Sequence, residues 1–209
     1  MCSVDWDAVV GFLQALAAFA GAGAVIWVGN AARSAFQQTV ETRRGETTFQ
    51  TAFDALALAN QTDLVFGTLR SIAVFSGEGS SRTANALESP EEKRHRDYRH
   101  VMRERLESTR EYFETVAGVE PRVRALFGDE PADALRQTLK TRNLVAASWG
   151  MHCNWQEGGP TPSQSVIEKI EKTIWEGYGD PDEVKQDLDS AVAIVRKHLE
   201  PFVRTRARQ

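Results

Sequence analysis

EVKQDLDSAVAIVRKHLEPF, Glu183–Phe202, places apolar residues at Val184, Leu188, Ala191, Val195, Leu199 and Phe202. Steps of three and four keep all six on one side of an α-helix, because neighbouring turns stack residues at that spacing. The opposite side is polar. A half-buried strand would alternate every second residue instead, and no convincing alternation of that kind occurs elsewhere in the chain. The stretch therefore sets the class as all-α.

Moving outward, helix starts and breaks divide the preceding chain. GYGDPDE, Gly177–Glu183, reads as a turn with a proline-led helix start. Ser165 with Glu168 fits a capping box for a helix carrying Ile167, Ile170 and Ile174. GGPTP, Gly158–Pro162, is a break. Asp129-Glu130-Pro131 opens a helix through Leu135, Leu139, Val145 and Trp149 towards Trp155. Gly118 and Pro121 are expected to end or kink the helix before it, leaving a short piece from Pro121 to Phe127. That helix begins at Ser89-Pro90-Glu91-Glu92, where a capping hydroxyl, a proline and two acids all suit an N-terminus. Ser76–Ser89 has the composition of a flexible loop. Phe49, Phe53, Leu56, Asn60 and Leu64 mark one stripe of a further helix, and Gly45 marks a bend before it. Residues 46–209 are thus expected to form one antiparallel bundle of four to five helices, long enough to bury its own core.

A different kind of helix precedes the bundle. Residues 8–32, AVVGFLQALAAFAGAGAVIWVGNAA, contain no Asp, Glu, Lys, Arg or His. About 20 apolar residues cross the hydrocarbon core of a bilayer. Trp6 and Trp27 are 21 positions apart, about 32 Å along a helix, which would set one indole in each interface. Asp5 and Asp7 precede the stretch, and Arg33, Arg43 and Arg44 follow it. Basic residues stay on the cytosolic side, so residues 1–7 are expected to form a short extracytoplasmic tail. Residues 8–32 are then a transmembrane helix, 33–45 a juxtamembrane helix, and the bundle is cytosolic. The location expected is the plasma (inner) membrane, single-pass, with the lipid bilayer as a partner. Gly11, Ala15, Ala18 and Ala22 form a stripe of small residues beside Gln14. Such a face lets two spans approach closely, so a homo-oligomer is expected.

Chemistry is sparser. The net charge of −4 gives no general attraction to nucleic acid. There is no glycine-rich phosphate loop, nucleophile elbow or zinc-protease motif. His152-Cys153 has no second Cys/His cluster beside it, so no metal and no cofactor are expected. Asp180, Asp182, Asp187 and Asp189 lack the glycine and terminal glutamate of a calcium loop, and helix capping accounts for them better. Arg142, Trp149, His152 and Trp155 share part of one helix and could line a pocket, although such aromatics more often fill a core.

One short motif has the form of a catalytic pair. In Arg94-His95-Arg96-Asp97-Tyr98-Arg99-His100, an Arg followed by a polar residue stands six positions before a His. This resembles the Arg-x4–6-His signature of HEPN helical domains, several of which cleave RNA. The resemblance covers seven residues and the all-α class. It implies that Arg94 and His100 would meet a phosphodiester across a dimer interface, the His moving protons and the Arg holding phosphoryl charge. The leading expectation is a non-catalytic interaction or regulatory module with a cytosolic protein partner. The alternatives are a membrane-tethered HEPN-like ribonuclease and a small pore-forming membrane effector.

Overall fold

A computed structural model of the 209-residue chain describes residue 33 and residues 43–74, 77–83, 85 and 87–206. The chain divides into a unit of residues 1–48 and a unit of residues 49–209. Of the first, Arg33 and residues 43–48 are helical, and the Thr47 and Thr48 hydroxyls donate to the Arg43 and Arg44 carbonyls. Gly45 lies inside a helical run and makes no bend. Among the described residues no helix is long and apolar enough to cross a membrane. The expected span 8–32 lies outside them, with Trp6, Trp27, Gly11, Gln14, Ala15, Ala18 and Ala22.

The described residues of the second unit form helices and the segments that connect them, without strands. The helices are α1 (49–70), α2 (Pro90–Ser108), α3 (Arg110–Phe127), α4 (Asp129–Gln156), α5 (Gln164–Ile174) and α6 (Glu183–Arg206). Helix α4 packs on α2, α3, α5 and α6. Two apolar layers make the core. One joins Ala52, Ala55, Leu58 and Ala59 of α1 to Val116, Val119 and Val123 of α3, Ala132 and Leu135 of α4, and Val195 and Leu199 of α6. The other joins Phe66 and Leu69, Phe113, Val145 and Trp149, and Val184 and Leu188 of the same four helices to α2 and α5. Helices α1 and α4 therefore run from the first layer to the second, and α3 and α6 run back, as in an up-down-up-down bundle. Helix α2 contributes Met102 to the second layer and α5 contributes Ile170 and Ile174.

The α6 stripe behaves as its spacing requires: Val184, Leu188, Ala191, Val195 and Leu199 are all buried. Phe202 is half exposed, and its ring meets Phe127 edge-on at 4.9 Å. The α1 stripe does not. Phe53 and Leu64 are 52% and 75% exposed, and the core takes Ala52, Ala55, Leu58, Ala59, Phe66 and Leu69 instead. Alanines on that side let α3 and α6 come close, so small side chains win the buried face from larger ones.

Two expected boundaries also move. Helix α3 runs unbroken through Gly118 and Pro121, and the break falls at Thr109. An interior proline costs about 3 kcal/mol, but Val116, Val119 and Val123 are buried on either side of it, and burying one such side chain returns about 1.5–3 kcal/mol. At the break, the Thr109 hydroxyl donates to the Arg105 and Leu106 carbonyls, ending α2. Helix α5 starts from Ser163, so Ser165 and Glu168 form no capping box; Gln164 donates to Glu168 instead. The cap expected at α2 is present: Ser89 accepts from the Glu92 amide and Glu92 accepts from the Ser89 amide.

The segment expected to be a flexible loop is stapled to α2. Arg105, 3% exposed, donates to both Glu78 carboxylate oxygens and to the Ser71 and Ala73 carbonyls. Arg82 grips Glu88 with both terminal nitrogens and Asp97 with Nε. The Glu88 carboxyl is held down at about 2, chiefly by Arg82. Serine and glycine set the composition of this stretch, but its charged residues set its structure.

Candidate functional site

The second core layer ends in a cluster of rings. On α4, Trp149, His152, Cys153 and Gln156 recur at steps of three, one and three, so they share a face. On α2, Arg94, His95 and Tyr98 share another. The Tyr98 ring lies 5.2 Å from Trp149 and 5.7 Å from Trp175, which follows α5. Trp149 and Trp175 meet edge-to-face at 4.6 Å, and His152 sits 4.6 Å from Trp155. Edge-to-face contacts at these distances put the positive ring edge on a neighbouring negative face.

In front of the rings is a cavity of about 230 Å³ between α2 and the end of α4. Arg94, His95 and Tyr98 line one side, and His152, Cys153, Gln156 and Glu157 line the other. His152 is 8% exposed, yet its Nδ1 has no hydrogen-bond partner among the described residues. The Tyr98 hydroxyl and the Trp149 indole N–H are likewise buried and unpartnered. Leaving such a group unsatisfied costs about 1–3 kcal/mol, so these three weigh against the stability that the packed rings contribute. Arg94 and Tyr98 also line a neighbouring cavity of about 610 Å³ beside the 78–82 segment.

Burial favours the uncharged form of three groups in the wall. Burial pushes the His152 imidazole below its ordinary value, His95 adds to this, and Glu171 opposes it. Burial pushes the Cys153 thiol up against the opposing Arg99 guanidinium, and a protonated thiol is a poor nucleophile. Burial likewise raises the Tyr98 phenol. The Arg99 charge is taken by Glu157 at 2.6 Å. Arg94 is exposed and makes no ion pair among the described residues, so it brings a positive charge to the edge of the cavity.

Three of the four residues expected to line a pocket, Trp149, His152 and Trp155, do meet in this cluster. Arg142 does not join them: two turns earlier on α4, its guanidinium lies over the Phe113 ring, 5.3 Å from the centroid. Arg94 and His100 are brought to different neighbours. Arg94 lines the cavities, whereas His100 Nε2 is 2.6 Å from the Ser81 hydroxyl and 3.4 Å from Glu104. Tyr98 and Trp175 complete the cluster from other elements. Tyr98 reads in the sequence only as one apolar position of α2, and no local spacing connects either residue to α4. Among the described residues no group of three His, Cys, Asp or Glu could hold a metal ion.

The depressed His152 value makes stability depend on pH. Above the ordinary histidine range, near 6.5, the neutral ring has the same charge folded and unfolded, so stability is full. As pH falls through that value the unfolded chain takes up the proton first, and stability is lost down to the lower folded value. The melting temperature of the full chain should therefore be lower at pH 5 than at pH 7.5, and His152→Gln should reduce that difference. An unchanged difference in the variant would assign the effect to other groups.

Comparison of the chain with protein-family models, with curated proteins and with solved structures finds no match in any of the three, so the site is read from its own chemistry.

Proposed function

We propose that the chain is a membrane-tethered regulatory or interaction module. Residues 8–32 cross the plasma membrane once, with the N-terminus outside, and the helical unit works at the cytosolic face on a protein partner. The observation that carries this reading is the uncharged 8–32 stretch, bracketed by Trp6 and Trp27, with acids on one flank and Arg33, Arg43 and Arg44 on the other. Close approach of spans along Gly11, Ala15, Ala18 and Ala22, with Gln14 hydrogen-bonding across the pair, makes the tether an oligomer. Thiol catalysis is disfavoured by burial, which keeps Cys153 of the cavity wall protonated.

Cell fractionation with an alkaline wash tests the placement, followed by protease treatment of intact spheroplasts. The full chain should stay with the membrane pellet, and a tag after residue 209 should be protected until the membrane is opened. Recovery of the full-length chain in the soluble pool would overturn the tether. Loss of the tag from intact spheroplasts would overturn the orientation.

A further inference from the structure

We propose that the cavity between α2 and α4 binds a small planar aromatic anion, its ring against Tyr98, His95 and His152 and its charge on Arg94.

Size comes first. Pockets for drug-sized ligands run to about 300–1,000 Å³. At about 230 Å³ this one admits a single or fused ring with a short arm. Three of its lining side chains are themselves rings, and Trp149, Trp155 and Trp175 hold two of them, Tyr98 and His152, from behind. A flat guest loses little conformational freedom on entering such a wall.

The wall itself is apolar. His152, more than nine-tenths buried, lines the cavity, but its Nδ1 and the Tyr98 hydroxyl are enclosed within the cluster, so a guest meets ring surface rather than those polar atoms.

Charge decides the sign of the guest. Aromatic clusters also attract cations over their faces, and a quaternary ammonium would be the obvious rival. Here Glu157 is held by Arg99, and the other carboxylate beside the wall, Glu91, is solvent-exposed 3.9 Å from His95 Nε2, while Arg94 makes no ion pair among the described residues. An ammonium would be repelled by that guanidinium, whereas a carboxylate or phosphate would be bound by it in a fork of charge-assisted hydrogen bonds. Both anions share this chemistry, and they differ only in which arm reaches Arg94.

Isothermal titration calorimetry on the full chain in mild detergent tests the proposal with four probes: indole-3-acetate, AMP, tryptamine and inorganic phosphate. At least one of the two ring anions should bind about tenfold or more tightly than tryptamine, which carries the indole ring with a cation instead. Whether indole-3-acetate or AMP is the tighter distinguishes a carboxylate from a phosphate guest. Arg94→Gln should weaken that binding about tenfold. Tyr98→Phe, which keeps the ring, should weaken it less and leave the melting temperature near that of the unmodified chain. The proposal is overturned if neither ring anion binds at about 5 mM, a free energy of only about 3 kcal/mol. Equal binding of tryptamine, equal binding of inorganic phosphate, or unchanged binding in Arg94→Gln would also overturn it. None of these outcomes bears on the membrane placement, which stands on residues 8–32.

Discussion

Replacing Arg70 with alanine should lower the stability of the helical unit by about 3–5 kcal/mol, the usual cost of breaking a buried ion pair from one side. Arg70 ends α1 and is 2% exposed. Its Nε donates to the Thr173 carbonyl, and Nη2 donates to the carbonyls of Lys172 and Trp175. Those are carbonyls at the C-terminus of α5, which have no partner within their own helix. The same guanidinium grips both oxygens of Asp182 at 3.0 Å, and Asp182 in turn accepts from the Lys185 amide at the start of α6. One side chain thus ties the end of α1 to the end of α5 and the beginning of α6. The Glu176 amide returns a bond to the Arg70 carbonyl. In a unit of this size each lost kcal/mol lowers the melting temperature by about 2–4 °C, so the alanine variant should melt roughly 6–20 °C lower.

Two controls separate this account from a loss of bulk. Arg70→Lys keeps the charge and most of the stem, but an ammonium cannot reach a carboxylate and three carbonyls at once. It should recover only part of the loss in thermal denaturation followed by circular dichroism. The second control is acid. Burial pushes the Asp182 carboxyl up, but the bonds from Arg70 and from the Gly177 and Lys185 amides outweigh it and hold it below the ordinary value. A depressed carboxyl contributes stability that is complete above its unfolded value, near 3.9, and is lost as pH falls through the lower folded value. Below that range the difference between the unmodified chain and Arg70→Ala should narrow. A melting temperature in Arg70→Ala within about 2 °C of the unmodified chain, under 1 kcal/mol, would contradict the whole arrangement.

That tie was illegible in the sequence, and the reason is physical. Arg70 and Asp182 are separated by 112 positions. An arginine at the end of an amphipathic segment normally solvates its charge, and Asp182 has a sufficient local meaning as a helix cap. Only the packed bundle shows that both are buried together. The same limit explains α1. Apolar residues at helical spacing revealed the helix, but Phe49, Phe53 and Leu64 share it with the alanines that α3 and α6 require, and the partners choose the face. Where one side alone is apolar, as on α6, the reading needs no partner and survives. The candidate site divides the same way. Trp149, His152 and Trp155 lie within two turns of one helix, so their meeting was visible. Tyr98 and Trp175 come from α2 and from the segment after α5, and proximity across elements leaves no mark in local spacing.

Trp149→Ala should cost about 3–5 kcal/mol, the range for removing a fully buried large ring. At 2% exposure Trp149 is among the largest side chains fully enclosed in the unit, and it touches the rings of Tyr98, His152 and Trp175. Removing it empties the centre of the cluster, and the neighbours from α2, α4 and the end of α5 cannot all move in without leaving their own helices. Trp149→Phe should behave differently. Its smaller ring still fills part of the space, and it carries no N–H. Since the indole N–H is buried without a partner, the phenylalanine loses area but also removes an unsatisfied donor that costs about 1–3 kcal/mol. The two effects oppose one another, so Trp149→Phe should lie within about 1 kcal/mol of the unmodified chain by denaturant titration. Trp149 stands behind the cavity rather than lining it. Trp149→Phe should therefore retain binding of the ring anion that Arg94→Gln loses, while Trp149→Ala should lose both stability and binding. A phenylalanine variant as unstable as the alanine variant would mean that the indole N–H has a partner after all.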